Sequence, residues 1–142
     1  MRYLGEEIRP LLEKKELLEL VLVDGEGMVL DAEGKVFNPE QLAALFLPVH
    51  LLLQNIGRDL PLERVEEVSV RAFGPRIRIV LQSFTVAEAS YLLIALFPIT
   101  TFYRQITADI IRVVKDITRK LASPPHPDQE GPSGQTGRKS GP

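Results

Sequence analysis

Between Asn38 and Gly57 the chain reads NPEQLAALFLPVHLLLQNIG, a helix too apolar to keep one side wet. Asn38 is a good N-cap, Pro39 suits the first helical position, and Gln41, three residues after the cap, completes a capping-box pattern. Gly57 suits a left-handed residue just past the end. On a helical wheel Leu42, Phe46, Val49 and Leu53 crowd one side, with Leu45, Leu52 and Ile56 close by. The other side carries Ala44, Leu47, Pro48, Leu51 and Asn55. A helix apolar nearly all round is buried nearly all round, so its second face needs a cover that a short chain has difficulty supplying. Pro48, inside the helix, removes one backbone hydrogen bond and is expected to kink it.

The rest of the chain limits what that cover can be. Its 142 residues suggest one domain. Residues 123–142, SPPHPDQEGPSGQTGRKSGP, lack the apolar groups needed to offset chain entropy and read as a disordered tail. That leaves a folded unit of about 2–122. A first helix is expected over about Leu4 to Lys15, its regular part starting at Pro10. LLELVLV, Leu17 to Val23, and YLLIALF, Tyr91 to Phe97, are apolar runs of strand length, the first broken only by Glu19. Such runs belong to central strands covered on both faces. A short strand, Met28 to Asp31, returns after the Asp24-Gly25 turn and ends at a second turn, Ala32-Glu33-Gly34. EEVSVRAF and RIRIVLQ alternate apolar and polar residues around Gly74-Pro75, as a hairpin with one wet face does. A closing helix, about Thr100 to Ala122, carries a stripe of Ile99, Phe102, Ile106, Ile110, Val113, Ile117 and Leu121. The order is α-β-β-α-β-β-β-α, an α/β sandwich with the middle helix on one face of the sheet and the terminal helices on the other.

Signs of chemistry are few. There is no cysteine, which removes disulfides, thiolate nucleophiles and cysteine zinc sites. Histidine occurs only at His50 and His126, too few for the usual metal cluster. His50 reads as a packing or interface residue rather than a general base. Gly34-Lys35 has Val29 where a phosphate-binding loop needs glycine, and Gly25-x-Gly27 is explained by its hairpin turn. Glu6-Glu7 and Glu66-Glu67 point in different directions and read as solvated charge. Arg71, Arg76 and Arg78 straddle one hairpin, where they either receive an acidic partner or guard a sheet edge. A net charge of −2 lacks the basic footprint of a nucleic-acid binder, no apolar run reaches membrane-spanning length, and the charged N-terminus is not that of a signal peptide. A non-catalytic, cytoplasmic protein without metal or cofactor is expected.

LELVLVDGEGMVLDAEG, NPEQLAAL and the strand YLLIALF before a long closing helix together resemble the roadblock-type domain of the dynein light chain roadblock family and its bacterial gliding-motility regulators. The resemblance spans about residues 4–121. It implies a five-stranded antiparallel sheet in the order 2-1-5-4-3, with one helix on one face and two on the other. It also implies a homodimer in which middle helices pack together and third strands pair. Mapped here, that interface is Ala44, Leu47, Pro48, Leu51, Asn55, Glu67, Ser69 and Arg71. The function implied is that of a non-catalytic regulator or scaffold for a small Ras-like GTPase, including a GTPase-activating role. A small-molecule sensor or an assembly module with no GTPase partner is the alternative.

Overall fold

The computed structural model describes residues 5–122; the expected disordered tail, 123–142, lies outside the described residues. The elements run α1 (Gly5–Glu13), β1 (Glu19–Asp24), β2 (Val29–Gly34), α2 (Pro39–Asp59), β3 (Glu67–Ala72), β4 (Ile77–Val86), β5 (Ala89–Pro98) and α3 (Tyr103–Ala122). Every neighbouring pair in the sheet is antiparallel, and the strand order is β2-β1-β5-β4-β3. The element order is the one read from the residues, and the topology is the one the resemblance implied.

The two apolar strands sit inside, as expected. Because successive side chains alternate across a strand, β1 and β5 feed two separate cores. Leu20, Leu22, Leu93, Ala95 and Phe97 join Ile8 of α1 and Ile110, Ile111 and Val114 of α3. Val21, Val23, Leu92, Ile94 and Leu96 join Leu42 and Ala43 of α2. At roughly 25 cal/mol per Å² of apolar surface removed from water, each layer of helices stabilises the face it covers.

Several local expectations are corrected. α1 passes through Pro10; a proline there takes a donor only from the Glu6 carbonyl, one turn back. β2 continues through Ala32-Glu33-Gly34 instead of turning, pairing Gly34 with Glu19. Gly34 is needed in the strand because its φ is 101° and a Cβ would lie 2.4 Å from the Leu18 carbonyl oxygen. Between Leu22 and Val23 the β1–β2 register shifts, a bulge in the outer pair. β4 and β5 are both longer than expected and meet at a two-residue turn, Ala87-Glu88, with Val86 paired to Ala89. α3 begins one residue after Phe102, which is 94% exposed, so its inward line starts at Tyr103 and runs through Thr107, Ile110, Ile111 and Val114.

The N-terminus of α2 is built as read: the Asn38 side chain accepts from the Gln41 N–H at 2.9 Å. Its C-terminus is not. Gly57 is buried within the helix, which closes at Leu60, whose N–H bonds the Ile56 carbonyl. A Cβ on Gly57 would stand 3.3 Å from Val65 Cγ2, so the glycine permits a close approach rather than a left-handed turn.

Candidate self-association surface

Small residues decide how α2 sits on the sheet. Leu42, Ala43 and Gly57 are buried in it, and Phe46, Leu47, His50, Leu53 and Gln54 are half-buried, so Leu42, Phe46 and Leu53 of the expected apolar side do turn inward. The inward line is still rotated from the wheel reading, which centred on the largest side chains. Val49, which shares a side of the wheel with Leu42, Phe46 and Leu53, is exposed, as are Leu45, Leu52 and Ile56. Leu47, assigned to the outer face, instead packs against the α2-side core, with its Cδ2 3.1 Å from where a Cβ on Gly27 would be.

The outer face that remains is broad and apolar. Ala44, Pro48, Leu51 and Asn55 lie on it as expected, and Leu45, Val49, Leu52 and Ile56 extend it. Leu45 is 60% exposed and Leu52 59%. These four were legible only to a wheel centred on Ala43 and Gly57. The polar groups here are few; Asn55 Oδ1 accepts from Arg58.

β3 adds an edge. It pairs with β4 on one side only, since it ends the sheet. Val68, Val70 and Ala72 lie opposite Leu81, Ile79 and Ile77, on the α2 side. Glu67, Ser69 and Arg71 are exposed and share the α3 side. Glu67 accepts from the Tyr103 hydroxyl at 2.9 Å, and Ser69 Oγ accepts from Arg78 at 3.3 Å. Arg71 lies directly across from Arg78 and over the Phe73 ring at 5.8 Å. Val70 is 39% exposed, so the apolar surface of α2 runs on to the open edge.

A groove of about 460 Å³ flanks α2 where the β4–β5 hairpin extends past β3; Leu47, His50, Gln54, Ser83, Tyr91 and Ile111 are among its lining residues. Burial holds His50 below the ordinary histidine range, consistent with the packing role read from sequence. Among the described residues no group of His, Cys, Asp and Glu could hold a metal ion, and no helix is long and apolar enough to cross a membrane.

No family model matches the sequence, and no curated protein matches it. Solved structures do. Myxococcus xanthus MglB superposes with a TM-score of 0.68 at 13% identity, over 82% of this chain and 88% of that one. An MglB structure described as having a tetrameric arrangement gives 0.61 at 19%, over 82% and 85%. A Roadblock/LC7 domain from Streptomyces avermitilis gives 0.65 at 17%, over 81% and 94%. The chain has the roadblock-type fold.

Proposed function

We propose that the protein is a non-catalytic homodimeric regulator or scaffold that binds a small Ras-like GTPase. The observation that carries the reading is the exposed apolar face of α2 running on to the unpaired edge of β3. A patch of this kind on a small domain marks an association surface. The dimeric arrangement implied by the sequence resemblance, and the tetrameric arrangement of one similar structure, support covering it with further copies. Such a dimer would act on a GTPase by ordering its switch segments or orienting the attacking water, with no nucleotide site of its own.

The chain's own chemistry favours one register for the proposed dimer. For two α2 helices to meet on one side of a continuous sheet, the two-fold axis must stand perpendicular to it. That axis preserves faces, and directly opposed residues share a face, so it passes between a residue and its own copy. A pivot at Arg71 would oppose like charges; a pivot at Ser69 sets each Glu67 against Arg71 of the other copy and Val68 against Val70, the favourable pairing.

Light scattering at micromolar concentration is expected to give the mass of two chains, and Ser69→Cys, in a chain otherwise without cysteine, to form an intermolecular disulfide more readily than Val68→Cys or Val70→Cys. A monomeric mass overturns the dimer. Recovery of one GTPase from the host's set with the wild-type chain, differing between GTP- and GDP-analogue loading, is the expected pull-down result. Equal and negligible recovery of all overturns the GTPase partner.

The groove beside α2 favours a second reading, the small-molecule sensor, because His50 lines it together with apolar walls and with Gln54 and Ser83, which both donate to the Val65 carbonyl. Ligand retained in native mass spectrometry would favour it over the scaffold.

A further inference from the structure

The end of the sheet away from this groove carries an unbalanced charge. The Ile99 N–H donates to the Arg76 carbonyl at 3.1 Å, bringing the β3–β4 turn against the segment that leads into α3. Tyr103, the first residue of α3, packs its ring on Phe97 with centroids 5.8 Å apart. Two guanidinium groups then gather on that one ring, Arg78 at 5.0 Å and Arg104 at 5.6 Å from its centroid. Arg76 is exposed in the adjoining turn. Among the described residues none of these three arginines forms an ion pair; the nearby carboxylate, Glu67, is engaged by the Tyr103 hydroxyl. Arg78 Nε is buried and has no acceptor, an unmet donor of a kind that folded proteins rarely leave. Beside this cluster Phe102 is 94% exposed and Phe73 77%.

We propose that this end is a docking site for an acidic protein segment carrying an aromatic or large aliphatic residue. Arginine's planar fork matches carboxylates in two-point geometry, and arginines gathered at one end without a carboxylate partner leave positive charge for an acidic segment to offset. Aromatic residues and arginine are both enriched at protein interfaces relative to the rest of the surface. A second copy does not fit, since it would bring cations against cations. Nucleic acid fits less well: three arginines are confined to one end of a chain whose net charge is −2, whereas phosphate binding draws on a sustained positive stripe. The site lies on the α3 side of the sheet and does not use the outer face of α2, but it borders the β3 edge of the proposed dimer, since Arg78 donates to Ser69 Oγ at 3.3 Å. Arg104 and Phe102 lie outside that strand, so variants there read the site apart from the dimer.

Fluorescence anisotropy with the full chain tests it, using three fluorescein-labelled probes: a twelve-residue Asp/Glu peptide with one Phe and one Leu, the same peptide with Ser at both positions, and a twelve-nucleotide oligothymidylate. The first is expected to bind saturably and the second at least about tenfold more weakly, with affinity falling as salt rises. Arg104→Glu and Phe102→Ser, both at exposed positions, are each expected to weaken the first probe by about tenfold or more while leaving the circular dichroism spectrum unchanged. No binding of the first probe, tighter binding of the oligonucleotide, or unchanged affinity in both variants would overturn the site. Light scattering on the same samples reads the dimer separately.

Discussion

Glu19 is fully buried in β1, on the side of the sheet that faces α2. Its Oε1 accepts the Phe37 N–H at 2.7 Å and the carboxylate also takes a hydrogen bond from the Val36 backbone, while Oε2 has no partner. It thereby ties down the segment that leads into α2 and carries the N-cap Asn38. Burial raises its pKa above the ordinary 4.5, against the opposing pull of those two hydrogen bonds. A raised pKa in the folded state means that its contribution to stability is complete below 4.5 and is lost as pH rises through the folded value. Urea midpoints of wild type and Glu19→Gln, measured from pH 4.5 upward, are therefore expected to diverge. Wild type should lose stability with rising pH relative to the glutamine variant, and parallel curves would show that Glu19 does not titrate in this window.

At the scale of elements, the β4–β5 hairpin shows what patterning can and cannot reveal. Ala87 and Glu88 both have left-handed backbones, φ 51° and 69°, the conformation for which hairpins use Asn-Gly. Replacing the pair with Asn-Gly is expected to raise unfolding stability by about 1 to 2 kcal/mol, read as a higher denaturant midpoint with an unchanged slope. The same pair explains why the strands on either side were legible only in part: neither residue is a turn former, so nothing in QSFTVAEAS marks where one strand ends and the next begins. Elsewhere local chemistry agreed with the fold. The runs LLELVLV and YLLIALF announced central strands, and Asn38-Pro39 announced a helix start that the structure reproduces. The orientation of α2 was read correctly at Leu42, Phe46 and Leu53 and missed at Val49 and Leu47 for a tertiary reason. Ala43 and Gly57 bring it against the sheet and Val65, a preference that a wheel weighted by hydrophobicity does not contain.

For the whole molecule, Leu47 and Leu52 would separate stability from the proposed assembly, although both are leucines of one helix. Leu47 packs into the α2-side core and Leu52 is 59% exposed. Leu47→Asp places an unpaired charge against apolar neighbours and is expected to lower stability by about 3 kcal/mol or more. Leu52→Asp is expected to change stability by less than about 1 kcal/mol in the monomer and to halve the mass seen by light scattering. A wild-type mass in the Leu52→Asp variant would place the contact elsewhere. The two edges of the sheet are likewise unequal. β3 ends the sheet in a regular, unbulged ladder with β4, whereas β2 is thrown out of register by the bulge near Val23 and carries Asp31, Glu33 and the left-handed Gly34. Bulges and charges of this kind discourage further strand addition. Under the proposed pairing, growth of the sheet therefore terminates at two copies, with both blunted ends outward. That dimer would be protected from polymerising into fibres, and any larger assembly would have to be built by helices meeting helices.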